Sequence, residues 1–390
     1  MERIGVDPAG IHIMAPKQIH YNIKVGGLTP AQANVIKQDM LSIGGEAAVA
    51  AGVVSCSVRS SDAILSGTLK QFNTLVDKLK RQSFGLSAIS RLIERAIENS
   101  RLRRYVVTGR SGAEWALGGR TRIMGILNVT PDSFSDGGEY LDASAAVRRG
   151  VEMAGQGADW IDVGGESTRP GSVPVEAQEE MDRVAPVVEA LAGEGLAVSV
   201  DTTKALVADA ALKAGAEMIN DVSGLGADPD MAGVCAAHAS PVVLMHSRGT
   251  PADMQKDTRY GDLLSEVYIS LSESVERAAD AGIGRDKIIV DPGLGFGKSM
   301  EGNLELVGRL SEFRSLGLPI LVGASRKSFI GSVTGAAVEE RLPGSLAVAV
   351  ISILNGASVL RVHDVREARE AAAMADAVRD AGARRVDKDR

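Results

Sequence analysis

The sequence predicts an α/β protein whose larger part is a closed (β/α)8 barrel of the TIM type, preceded by a small N-terminal α/β domain. Three observations predict it. From Arg122 onward, short apolar runs alternate with amphipathic stretches, the pattern of βα units on a parallel sheet. Eight such runs occur, and most end in a polar or charged residue, as a barrel with a functional mouth requires. No glycine-rich nucleotide loop follows the first run, where an open doubly wound sheet would carry one.

The elements follow in chain order. A strand is expected near Ile19 to Val25, then a helix from Ala31 to Met40 entered through Thr29-Pro30, and a strand near Ala63 to Ser66. Gln71 to Arg81 and Ala88 to Ile97 place apolar residues three and four apart and predict two more helices. Arg101, Arg103 and Arg104 precede Tyr105-Val106-Val107, and the region of Gly112, Gly118 and Gly119 reads as a linker or turn. The expected domains are therefore residues 1–118 and 119–390, the first a packing or oligomerisation appendage without an assigned activity. The eight barrel strands are Ile123 to Leu127, Trp160 to Val163, Ala197 to Val200, Met218 to Ile219, Val242 to Met245, Lys287 to Val290, Ile320 to Val322 and Val359 to Val362. Helices such as Ala177 to Ala192, Lys204 to Ala214, Leu263 to Ala281 and Ser345 to Asn355 connect them.

With 390 residues, 45% of them hydrophobic, the chain can bury a large core. Its net charge of -7 argues against general binding to nucleic acid or anionic membranes, so any phosphate site must be local. No segment approaches the ~20 apolar residues of a membrane span. The first ten residues carry charges and a proline where a signal peptide needs an apolar run, so the expectation is a cytoplasmic protein. Cys56 and Cys235 lie far apart among apolar or small residues and are expected to be buried free thiols.

Barrel active sites form at the C-terminal ends of the strands, so the residues there are candidates on fold physics alone. They are Asn128; Asp162 with Glu166, Thr168 and Arg169; Asp201; Asn220 and Asp221; His246; Asp291; Ser325, Arg326 and Lys327; and Arg361 with His363 and Asp364. Taken singly, Asp201 also reads as a helix cap, and His363 reads equally as an ordinary loop histidine. Together they segregate by charge. Acids and amides end the third, fourth and sixth strands, which suits a heterocycle rich in N–H groups. Cations gather at the seventh and eighth, where barrels of this type often hold phosphate. Pro292 to Ser299 nearly matches a nucleotide P-loop, but Pro292 replaces the first glycine and Asp291 would face the phosphates, so ATP binding is not expected. Tight zinc spacing is absent, while Mg²⁺ shared between one protein oxygen and a diphosphate is compatible with the sequence.

These motifs together resemble dihydropteroate synthase, a pterin-binding family, over about Arg122 to Val378. Gly125 to Gly138, containing Asn128-Val129-Thr130-Pro131-Asp132-Ser133-Phe134, resembles the family's first loop, and Asp162 to Gly171 its second. Val200-Asp201-Thr202, Ile219-Asn220-Asp221, Asp291 to Lys298, Ser325-Arg326-Lys327-Ser328 and Arg361-Val362-His363-Asp364 follow in the family's order. His246-Ser247-Arg248-Gly249 departs from the commoner His-Met-Gln-Gly.

The resemblance implies condensation of 6-hydroxymethyl-7,8-dihydropterin diphosphate with p-aminobenzoate. It implies Asp201, Asn220, Asp291 and Lys327 on the pterin edge, and Arg361 stacked over the ring and meeting the diphosphate. Arg169 and His363 would join Arg361 at the diphosphate, and Asn128 would ligate Mg²⁺. Phe134, Thr168, Arg169, Pro170 and Ser325 would surround p-aminobenzoate, whose sulfonamide mimics would compete there. A homodimer is also expected. The rival expectations are a methyltetrahydrofolate-dependent corrinoid methyltransferase, which has no diphosphate to hold, and a non-catalytic pterin-binding protein, which should lack Arg169, Lys327 or the first loop.

Overall fold

A computed structural model describes residues 1–129, 139–167, 172, 174–249 and 253–387, without the side chains of 139–142 and 383–387. The chain forms two units, Met1–Arg101 with Gly382–Arg390, and Leu102–Ala381.

In the first unit, β1 (His20–Leu28), β2 (Glu46–Val49) and β3 (Ser61–Thr68) form an antiparallel sheet in the order β1-β3-β2. The helices are α1 (Pro8–Gln18), α2 (Pro30–Ser42), α3 (Leu69–Leu79) and α4 (Leu86–Arg101). Helices α2 and α3 begin with reciprocal capping boxes, Thr29 with Gln32 and Thr68 with Gln71, which satisfy amides that a helix start leaves open. Alternate residues of β3, Ser61, Ala63, Leu65 and Gly67, are buried, and Leu65 joins Ile36, Phe72, Leu75 and Ile93 in one core. The sequence leaves α1 and β2 unread for a physical reason. Helix α1 buries no residue, so no apolar stripe marks it, and β2 has only four residues. Cys56 corrects the expectation for the thiols: it is exposed, at φ 53°, while Cys235 is buried.

The second unit opens with a hairpin, β4 (Tyr105–Thr108) and β5 (Glu114–Leu117), in the region read from sequence as a linker or turn. Eight parallel strands follow: β6 (Arg122–Asn128), β7 (Trp160–Gly164), β8 (Val198–Asp201), β9 (Met218–Asp221), β10 (Val242–Met245), β11 (Ile288–Asp291), β12 (Ile320–Val322) and β13 (Ala357–Val362). They close in sequence order, β13 pairing with β6. Outside lie α5 (Glu139–Gly155), α6 (Ala177–Gly193), α7 (Ala205–Lys213), α8 (Met231–Ala237), α9 (Leu263–Asp280), α10 (Met300–Gly308), α11 (Ser328–Thr334), α12 (Leu342–Leu354) and α13 (Val365–Asp387).

The barrel has two ends of opposite character. At the N-terminal end, Met124, Trp160, Met218, Val243, Ile289, Leu321 and Val359 form an apolar layer, and Val107 and Leu117 of the hairpin pack into it. Trp115 meets Trp160 edge to face, with centroids 5.1 Å apart. The hairpin therefore stops the barrel floor. At the other end β6, β8, β9 and β11 run one or two residues further than the apolar pattern indicates, so Asn128, Asp201, Asn220, Asp221 and Asp291 are strand residues. Among the described residues no helix is long and apolar enough to cross a membrane.

Candidate active site

Strand register brings the polar ends together. Asn128 stands opposite Gly164, Gly164 opposite Asp201, and Asp201 opposite Asn220, so four neighbouring strands finish at one level. A Cβ on Gly164 would lie 3.5 Å from Asn128 Oδ1 and 3.7 Å from the Asp201 Cβ, ordinary contact distances, so both side chains flank this strand end.

Arg361 of β13 crosses the mouth to this row. Its Nε donates to Asp162 Oδ2 and its Nη2 to Asp201 Oδ2, both at 2.6 Å. Asn220 Nδ2 donates to the same Asp162 Oδ2 at 3.1 Å. Asp162 is fully buried, and its Oδ1 has no hydrogen-bond partner among the described residues. A buried carboxylate oxygen without a donor is costly, and it presents a ready acceptor to a ligand N–H. Burial raises the Asp201 carboxyl to about 7, against the lowering effect of Arg361 and with Asp162, Glu180 and Asp221 adding to the rise.

Asp291 and Lys327 form the opposite wall. Burial raises the Asp291 carboxyl above the ordinary range, partly offset by Lys327 and by the Gly293 amide, which donates to Asp291 Oδ1 at 2.7 Å. Lys327 Nζ donates to the Leu294 carbonyl and lies 4.5 Å above the Phe296 ring. Burial lowers its ammonium to about 8, with Asp291 opposing that shift and Arg361 adding to it. Gly295 makes the approach possible: its φ is 82°, and a Cβ there would stand 2.9 Å from the Lys327 Cδ. Beside this wall, Ser325 Oγ lies 3.0 Å from His363 Nδ1.

Several strand-end residues turn elsewhere. Arg326 pairs with Asp364, its Nε donating to Asp364 Oδ2 at 3.0 Å, and its φ of 57° turns the backbone between Ser325 and Lys327. Asp221 accepts from the Ser223 and Leu225 amides at 2.8 Å and organises its own loop. Glu166 and the buried Glu180 both take Lys204 Nζ, while Arg183 Nη1 donates to the Gly165 carbonyl at 2.9 Å, so the base of the second loop is tied to α6 and α7. Arg248, the departure from the commoner motif, stacks 4.5 Å from the Tyr260 ring and donates to the Arg259 carbonyl. Its guanidinium is thereby engaged with the segment that follows.

Asn128, Asp201, Asn220, Asp291, Ser325, Lys327, Arg361 and His363 thus all stand at the C-terminal mouth of the barrel. Phe134, Thr168, Arg169 and Pro170 lie outside the described residues. Asp162, named among the strand ends but given no role, is the hub that accepts from both Arg361 and Asn220. Its position inside the strand, two residues before the end, is the signal that would have found it.

Residues 124–363 match the family model of pterin binding enzymes. The chain is 44% identical to a probable bifunctional folylpolyglutamate synthase/dihydropteroate synthase of Halobacterium salinarum over 97% of its own length, yet spans only 45% of that relative. It is 48% identical to the dihydropteroate synthase of Clostridium beijerinckii, covering 68% of this chain and 97% of the relative. The structure of Xanthomonas albilineans dihydropteroate synthase with 4-aminobenzoic acid superposes with a TM-score of 0.66 at 44% identity, over 70% of this chain and 98% of that one. With a mouth of inward carboxylates facing Lys327 and Arg361, and with these matches across the whole barrel, the chain belongs to the pterin-binding enzyme family, among the dihydropteroate synthases.

Proposed function

We propose that this chain condenses 6-hydroxymethyl-7,8-dihydropterin diphosphate with p-aminobenzoate, giving 7,8-dihydropteroate and diphosphate. The observation that carries the reading is the Asp162–Arg361–Asp201 cluster beside Asn220, with Asp291 and Lys327 opposite. Three buried carboxylates supply acceptors for a ring edge rich in N–H groups, and the Lys327 ammonium supplies a donor for a ring oxygen or nitrogen. Arg361 offers a planar face for the ring and residual donors for the diphosphate.

In the reaction the bond from the pterin methylene to the diphosphate oxygen breaks, the nitrogen of p-aminobenzoate bonds to that carbon, and the amine loses a proton. Charge grows on the leaving oxygens, so Arg361, His363 and Arg169 act by electrostatic stabilisation. The arylamine is neutral at pH 7, and the protein's task is to position it, with Ser325 and the residues Phe134, Thr168, Arg169 and Pro170 around it. Magnesium fits this donor set. Asn128 ends β6 with an amide oxygen that has no hydrogen bond among the described residues, and those residues hold no cluster of His, Cys, Asp or Glu able to cage a metal. One protein oxygen suits a hard cation carried in by a diphosphate. When bound, the cation supplies positive charge to the departing oxygens.

The reading includes a cytoplasmic homodimer. Leu304 on α10 and Ile351 and Leu354 on the neighbouring α12 are exposed, an apolar surface that a second copy would cover, and sedimentation velocity tests it. The function itself is tested by incubating the chain with the pterin diphosphate, Mg²⁺ and ¹⁵N-labelled p-aminobenzoate. Labelled dihydropteroate is the expected product, and its absence with active substrates overturns the proposal.

A further inference from the structure

The segment that mimics a phosphate loop has a lysine that the proposed reaction does not use. Lys298 is 3% exposed. Its Nζ lies 2.8 Å from the Gly293 carbonyl, 2.9 Å from the Phe296 carbonyl and 2.9 Å from His246 Nδ1, with the His246 carbonyl at 3.3 Å. Three acceptors stand within 3 Å, the number that the three N–H bonds of an ammonium serve. Burial pushes this ammonium well below its ordinary range, with Lys327 adding to the shift and Asp291 opposing it, so these acceptors are what hold its protons. Burial, Lys298 and Arg248 together lower the His246 imidazole to about 3, so the ring is neutral and its Nδ1 accepts.

The loop is poorly built for a phosphate, because the amides of Gly293, Gly295 and Phe296 are already taken. Gly293 N donates to Asp291 Oδ1 and Gly295 N to Asn303 Oδ1 at 2.6 Å. Gly293, Gly295 and Gly297 sit at φ of 70°, 82° and 65°, and a Cβ on Gly293 would lie 1.9 Å from the His246 carbonyl. So tight a turn leaves the carbonyls of Gly293 and Phe296 pointing inward, where Lys298 is the donor that satisfies them. Between those carbonyls lies Leu294, whose own carbonyl takes Lys327 Nζ, and the Phe296 ring lies beneath the same ammonium.

We propose that Lys298 is a positioning residue for pterin recognition: by donating to Gly293, Phe296 and His246 it holds the loop in the shape that places the Lys327 ammonium. The inference rests on the pterin reading of this pocket. Without Lys298 the buried Gly293 carbonyl and the part-buried Phe296 carbonyl lose their donor, the loop relaxes, and Lys327 loses its fixed seat.

The test is a double-mutant cycle on pterin binding, read by calorimetry with a pterin that lacks the diphosphate. Lys298→Met keeps the length and apolar volume of the side chain and removes the donors. It should bind the pterin roughly 10- to 100-fold more weakly than wild type, with its cooperative thermal transition retained. In a Lys327→Ala background the same substitution should cost less than about threefold, because the residue through which it acts is gone. Lys298→Gln keeps two donors for the two carbonyls and should recover part of the affinity; it carries the same cycle if the methionine variant fails to fold. A folded Lys298 variant that binds within twofold of wild type overturns the proposal, and so does an equal penalty in both backgrounds, which is the outcome for a merely structural lysine. Failure of the wild-type chain to bind any pterin overturns the parent reading and this inference together, and is distinct from either.

Discussion

At Lys327 and Asp201 the chemistry of the pocket comes down to single protons. Lys327→Ala removes the ammonium that the proposed function sets against the pterin, and should cost ~2 to 4 kcal/mol in pterin binding and turnover while the fold survives. Steady-state kinetics and a thermal melt check it, and near-normal kinetics in a folded variant would remove Lys327 from the site. Its lowered ammonium, near 8, also predicts that pterin affinity falls as pH rises through that value. The Asp201 carboxyl is raised, so the folded state keeps a proton that the unfolded chain has released. Its contribution to stability is therefore fully present below the ordinary carboxylate range and is lost as pH rises toward about 7. Asp201→Asn should flatten that slope in urea midpoints measured between pH 4 and pH 7; an unchanged slope would contradict it. Single residues were legible to the extent that strand ends are legible. Asp201, Asn220, Asp291, Lys327 and Arg361 follow an apolar run or close it, and barrel physics aims such residues at the mouth. The role of Asp162 was not, because it depends on the closed register, and neither was Lys298, which imitates a phosphate-binding lysine in sequence.

At the scale of elements, the hairpin and the second loop make separable contributions. The Trp115 ring packs on Trp160 in the floor of the barrel, far along the strands from the mouth. Trp115→Ala should destabilise the barrel by ~2 to 4 kcal/mol in chemical denaturation with little change in pterin affinity. Lys204 works the other way. It ties Glu166 at the base of the second loop to Glu180 of α6, so Lys204→Met should raise the KM for p-aminobenzoate severalfold more than the KM for the pterin diphosphate. Equal changes in the two constants would count against a role confined to that loop. All eight barrel strands were readable because buried parallel strands are near-continuous apolar runs. The β4–β5 hairpin was not, since its glycines read as a linker or turn and the surface it covers exists only once the barrel closes.

For the whole molecule, the boundary between the two units decides what a truncation keeps. A chain beginning at Leu102 keeps the hairpin and should fold and bind pterin, whereas one beginning at Gly119 loses the stopper and should be markedly less stable. Circular dichroism melts of the two truncations compare them. The sequence pattern separated an N-terminal region from a barrel, but not the place of the hairpin, which belongs with the unit from Leu102 onward. The central claim is that the charged barrel mouth drives displacement of diphosphate by an arylamine. Diphosphate release from the pterin diphosphate, followed continuously with and without p-aminobenzoate, tests it most directly. Release is expected to depend on the amine and to match dihydropteroate one for one; release that ignores the amine, or none from active substrate, would overturn the proposed function.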